Sequence, residues 1–96
     1  DTSKAEKIKG VLGIITYLNA PQIMWYGNSF LFDPHLRYEG DEAACVAAVS
    51  EAIADRALKA IKVEYETLPF VVDASEALKK DAPKLHKEGN IVHGKP

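Results

Sequence analysis

Residues 44–73 change periodicity twice, and that change constrains the chain more than any other feature. They read ACVAAVS, then EAIADRALKAIK, then VEYETLPFVVD. The first run is short, small and β-branched, which predicts a buried strand over residues 44–49. Ser50 then offers a hydroxyl at the N-cap of a helix. Ile53, Ala57, Ala60 and Ile61 recur on one helical face. Glu51 and Asp55 lie early and Arg56, Lys59 and Lys62 late, the polarity that the helix dipole favours. From Val63 the period becomes two. Val63 and Tyr65 point one way and Glu64 and Glu66 the other, as in a strand with one wet face. Leu68-Pro69 ends that strand, because proline has no N–H for a ladder. The unit reads strand, helix, strand.

The flanks supply shorter elements. Ser3 and Glu6 have capping-box spacing and predict a helix over residues 4–9, which Gly10 can end in the left-handed conformation. Val11, Leu12, Ile14, Ile15 and Tyr17 make a strand apolar on both faces, interrupted by Gly13. Such a strand expects cover on both sides. Asn19-Ala20-Pro21 stops it. Residues 18–36 are rich in turn formers, with Ile23, Met24, Trp25, Tyr26, Phe30, Leu31 and Phe32 between them. Two readings stay open for these large side chains. They fold back to finish the core or form a short hairpin, or they dock on a neighbouring domain. Met24, Trp25, Tyr26, Phe30 and Phe32 are the candidates for that interface. Residues 36–38 read as a short strand and 39–41 as a turn. Asp73 and Glu76 form a second capping box, opening a helix over residues 74–80 with Ala77 and Leu78 toward the core. Pro83 ends it, and residues 84–96 read as a loose tail or a linker.

At 96 residues this is one domain's worth of chain. Twelve Lys and Arg against 14 acids give a formal charge of −2, with no basic stripe for nucleic acid. No apolar run is long enough to span a membrane, and no signal-peptide pattern opens the chain. A cytoplasmic setting is expected. Cys45 is the single cysteine, so an internal disulfide is excluded. Flanked by Ala44 and Val46, it reads as a small core residue and not as a nucleophile.

No catalytic constellation emerges. His35, His86 and His93 lack metal-ligand spacing, and a cysteine-rich zinc site is excluded. Glu39, Asp41 and Glu42 cluster at a turn without the spacing of a calcium loop, so a solvated acidic turn is expected. Nothing crowds or buries Glu64 and Glu66 enough to separate their pKa values for acid–base work. No phosphate-binding loop or nucleophile elbow occurs. No catalytic, cofactor-binding or metal-binding residue is therefore assigned.

Two stretches resemble a known family. They are DTSKAEKIKGVLGIIT at the start and RYEGDEAACVAAVSEAIADRALKAIKVEYETLPFVVDASEAL further on. Together they are similar to the α/β-hammerhead domain of the xanthine dehydrogenase and aldehyde oxidase family, on the N-terminal side of the molybdopterin-binding subunit. The spacing Ile61-x-Val63-x-Tyr65-x-x-Leu68-Pro69-x-Val71-x-Asp73 carries it, with Arg37-Tyr38-x-Gly40-Asp41 at the turn into the central strand. Residues 18–35 fall outside the likeness, and Glu42 stands where the family usually has proline. The resemblance implies an α+β fold, hammerhead-like, with a short mixed sheet, a central helix and short flanking helices. It implies a hammerhead domain over residues 1–83, lacking the strand the family places ahead of Asp1, then a tail or linker at 84–96. The enzymes it resembles carry molybdenum on a pterin, with iron–sulfur clusters and FAD in partner domains or subunits, and hydroxylate aldehydes or N-heterocycles. Their cofactor ligands map to no position here, so the implied role is architectural, with the molybdenum-binding domains of the parent chain as partners. A free-standing interaction module sharing the fold is the alternative. Self-association of the isolated chain is expected through the edge of the strand at residues 11–17.

Overall fold

A computed structural model describes residues 1–25 and 29–91. The chain divides into two units, Asp1–Glu64 and Tyr65–Pro96.

The first unit holds α1 (Ser3–Glu6), β1 (Val11–Thr16), β2 (Met24–Trp25), β3 (Ser29–Phe30), β4 (Ala44–Ala48) and α2 (Glu51–Ala60). β1 and β4 pair antiparallel, with Ile14 opposite Val46 and Ile15 opposite Cys45. A bulge lies between Val11 and Gly13, where one extra residue fits against the partner strand. The Val49 N–H donates to the Gly10 carbonyl at 2.9 Å and closes the sheet end. α2 starts as expected: Ser50 is its N-cap, and its hydroxyl accepts from the Ile53 N–H at 3.3 Å. α2 packs on β4 and β1 and against α1. Ala57 on α2 and Ala5 on α1 are fully buried, and they are the only buried apolar residues among those described. Two small side chains let the helices approach closely, but they bury little apolar surface.

Three expectations for residues 1–66 are corrected. α1 is a single turn beginning at Ser3, with Thr2 as N-cap. The Asp1 carboxylate accepts from the Ser3 N–H at 2.9 Å, and Thr2 Oγ1 donates to Glu6 at 2.8 Å, so the cap sits earlier than Ser3. Residues 36–38 form no strand. There the Asp41 carboxylate accepts from the Arg37 N–H at 3.0 Å, leaving that donor unavailable to a ladder. The expected strand at residues 63–66 is also absent. The backbone leaves α2 extended at Ile61. Lys62 and Asp1 exchange N–H···O bonds of 2.9 and 2.6 Å, and there the pairing stops. A strand is stable only within a ladder, and none of the described residues pairs with 63–66. Val63 and Tyr65 are exposed, like Glu64 and Glu66. The α+β architecture stands. Both sheets described are antiparallel and two-stranded.

Among its described residues the second unit contains one regular element, α3 (Ala74–Ala77). Asp73 caps it as expected, accepting from the Glu76 N–H at 2.9 Å. The helix is shorter than residues 74–80, and Leu78 is exposed, not turned to a core. Asn90 organises the segment after α3. Its amide donates to the Ala77 and Pro83 carbonyls at 3.0 and 2.9 Å and accepts from the Leu85 N–H at 2.7 Å.

Candidate functional site: exposed apolar surfaces

The interface candidates fall on β2 and β3. Met24 lies opposite Phe30, and Trp25 opposite Ser29. The pairing is extended by the Leu31 N–H donating to the Ile23 carbonyl at 2.9 Å. β2 and β3 thus form a short antiparallel pair, yet their side chains do not complete a core. Met24 is 53% exposed, Trp25 41% and Phe30 38%. Phe32 is half-buried. Tyr26 lies outside the described residues.

Among the described residues Phe32 is the one non-glycine residue with a positive φ, at 59°. A bulky side chain there costs about 1–2 kcal/mol. Asp33 holds the strained turn from both sides. Its carboxylate accepts from the Phe30 N–H at 3.2 Å and the His35 N–H at 2.8 Å, and pairs with Arg37 at 3.4 Å. Burial alone would raise the Asp33 pKa. The His35 and Phe30 amides and the Arg37 charge outweigh it, and the carboxyl titrates below its ordinary value.

A second apolar surface is the face of β1 and β4 turned away from α2. Leu12, Ile15, Cys45 and Ala47 lie on it. Leu12 is 72% exposed. Cys45 is exposed, which corrects its reading as a core residue. Both helices of this unit cover the same face of the sheet, so the alternate residues of β4 stay bare. The sequence carried the signal in the apolar residues on both faces of β1.

No chemistry gathers on these surfaces. Among the described residues no three of His, Cys, Asp and Glu come together to hold a metal ion. Asp41 spends its carboxylate on the Arg37 and Glu42 N–H groups. His35 sits 3.5 Å from Asp33, while His86 is half-buried with Nδ1 unpartnered among the described residues. His93 lies outside them. An open depression of about 330 Å³ in the second unit is lined by Phe70, Glu76, Lys79 and Asp81 among others. Its Lys79 ammonium is neutralised by Glu76 at 2.7 Å. No described helix is long and apolar enough to cross a membrane.

Comparison with known proteins places this arrangement in a family. The profile described as aldehyde oxidase and xanthine dehydrogenase, a/b hammerhead domain, matches residues 1–69. The chain belongs to that family. It is 39% identical to a probable xanthine dehydrogenase subunit of Bacillus subtilis, across 96% of this chain and 13% of the relative. It is 43% identical to "Probable hypoxanthine oxidase XdhD" of Escherichia coli K12, across 100% of this chain and 11% of the relative. With "Nicotinate dehydrogenase large molybdopterin subunit" of Eubacterium barkeri it shares 35% identity over 95% of this chain and 23% of that subunit. The chain thus spans less than a quarter of the length of each. No solved structure matches it.

Proposed function

We propose that this chain is an architectural domain of the molybdenum-binding subunit of a xanthine dehydrogenase or aldehyde oxidase-type hydroxylase. Catalysis is carried by other domains. The observation that supports this most is the mismatch between apolar content and core. Residues with apolar side chains make up 47% of the sequence, yet only two alanines are buried among the described residues. Monomeric proteins rarely leave so many large apolar groups bare unless something covers them. The Bacillus and Escherichia relatives are several times longer and supply the context.

In this reading Met24, Trp25, Phe30 and Phe32, with Tyr26, face the neighbouring domains of the parent chain. Phe32 adds support, since an aromatic side chain stands at a strained position that glycine would occupy without a Cβ clash. The hammerhead domain covers residues 1–83, and 84–96 lead onward. A molybdenum-pterin group supplies the redox chemistry from elsewhere in the parent, with iron–sulfur clusters and FAD beyond it. A cytoplasmic location belongs to the same reading. With its apolar faces bare, the isolated chain self-associates, and sedimentation over a range of concentrations reads this directly.

The test of function is to express the longest open reading frame that contains this chain. Its molybdenum content and its oxidation of purines and aldehydes are then measured beside the isolated chain. Stoichiometric molybdenum and activity are expected only in the longer protein. Molybdenum retained by the isolated chain through gel filtration would overturn the architectural role. A reading frame that stops at Pro96 would favour the free-standing module.

A further inference from the structure

The outer edge of β1 is already occupied. Ile15 and Gly13 face Cys45 and Ala47 across the ladder. The Val49-to-Gly10 bond fixes the alternation, so the peptide groups of Ile14 and Thr16 turn away from β4. The Ile14 carbonyl and the Thr16 N–H and carbonyl are all engaged. The Asn19 side chain doubles back along the edge. Its Nδ2 donates to the Ile14 carbonyl at 2.8 Å, and its Oδ1 accepts from the Thr16 N–H at 2.8 Å. One amide thus engages the carbonyl and the N–H on either side of Ile15. A residue of a neighbouring parallel strand grips an edge in this same way. The Thr16 carbonyl is taken as well, accepting from the Asn19 and Ala20 N–H groups at 3.2 and 2.9 Å.

Among the described residues of β1 and its turn, no other edge defence is present. Residues 10–21 contain no charged side chain, and Pro21 lies beyond the strand. Charges, prolines and covering loops are the usual means by which proteins keep strand edges from pairing with other chains. β1 is apolar on both faces, so an open edge here would accept another strand readily.

We propose that Asn19 is an edge guard: its side-chain amide stands in for the next strand and blocks strand addition at β1 by a second copy of this chain. This revises where self-association occurs, since the Ile14 carbonyl and the Thr16 N–H on the edge of β1 are already bonded. It is independent of what covers the apolar faces. A merely turn-forming residue would need only the Asn19 backbone bond to Thr16; the guard needs both side-chain bonds.

The test combines amide hydrogen exchange at Thr16 with sedimentation of the 96-residue chain. In the wild type, Thr16 exchange is slow and independent of concentration. In Asn19→Ala, it should rise about tenfold in dilute solution and slow again as concentration increases, together with a higher sedimenting mass than wild type. Asn19→Gln keeps the amide but moves it one methylene out of register, and should behave like Asn19→Ala. Asn19→Asp keeps the acceptor for Thr16 and places a charge on the edge, so its mass should match wild type. Wild-type exchange and mass in both Asn19→Ala and Asn19→Gln would overturn the proposal. Loss of β1–β4 pairing in both would also overturn it, by assigning Asn19 to holding the turn. Should the wild-type chain prove monomeric, the proposed self-association would fail, while the guard would still be judged by the variants.

Discussion

Gly10 sits at φ +99°, where α1 hands over to β1. A Cβ there would lie 2.7 Å from Ile53 Cδ1 and 2.9 Å from Val49 Cγ2. Two costs therefore combine in Gly10→Ala, backbone strain and overpacking, and about 2 kcal/mol or more of stability should be lost. Gly40 has φ +90° with nothing within 4 Å of such a Cβ. Gly40→Ala should lose only the backbone part, about 1 kcal/mol. Equal losses in urea unfolding would show that Gly10 is not pressed against α2. Asp33 gives a prediction in pH. Its pKa is lowered on folding, so its ionised form stabilises the folded state above the ordinary value of 3.8. That contribution is lost as pH falls through the folded-state pKa. Asp73 shifts in the same direction, held by the Ser75 hydroxyl and the Glu76 N–H. Asp33→Asn should therefore destabilise the chain at pH 7, with a gap from wild type that narrows below the ordinary carboxylate range. A carboxyl titration at or above 3.8 would contradict the bonding seen around Phe32.

α2 is the element most legible in the sequence. Its cap, its charge polarity and its apolar face all agree, and local signals that agree specify structure well. Ser50→Ala should cost about 1 kcal/mol. β1 and β4 were legible as strands because their apolar runs are bounded by turn formers. The segment at residues 63–66 carries an equally clear period of two, yet forms no strand. Periodicity describes side chains, whereas a strand needs a partner in space, and only the rung at Lys62 and Asp1 is made. The same limit explains Cys45. Its apolar neighbours in sequence could not reveal that α1 and α2 cover one face of the sheet and leave the other bare. At a dilution where the chain is monomeric, Cys45 should consequently react with a thiol reagent in the native chain nearly as fast as in urea. Protection by orders of magnitude would place it in a covered position. At the interface candidates the residue types were readable, since Trp, Phe and Met in a turn-rich stretch are unusual. The strain at Phe32 and its control by Asp33 depend on backbone angles that no residue pattern announces.

At the scale of the whole chain, what stands out is how little is buried. Leu12, Tyr65 and Val72 are 72%, 70% and 91% exposed, and no large side chain among the described residues is fully buried. A core of two alanines makes a small contribution to stability. The chain belongs to the hammerhead family and its relatives are several times longer; the role proposed for this surface is a contact for other domains. The central claim is that the apolar side chains of β2 and β3, with Phe32, are covered in the parent protein. Substitution of Trp25 tests it in two settings. In the isolated chain Trp25 is already 41% exposed, so Trp25→Ser should shift the unfolding midpoint little. In the longer protein that carries this segment, the same change would open a cavity in an interface and leave its partner unpacked, costing about 3–5 kcal/mol. A large loss of stability in the longer protein against a small one in the isolated chain is the predicted result. Equal, small effects in both would contradict the account, because Trp25 would then face water in the parent as well.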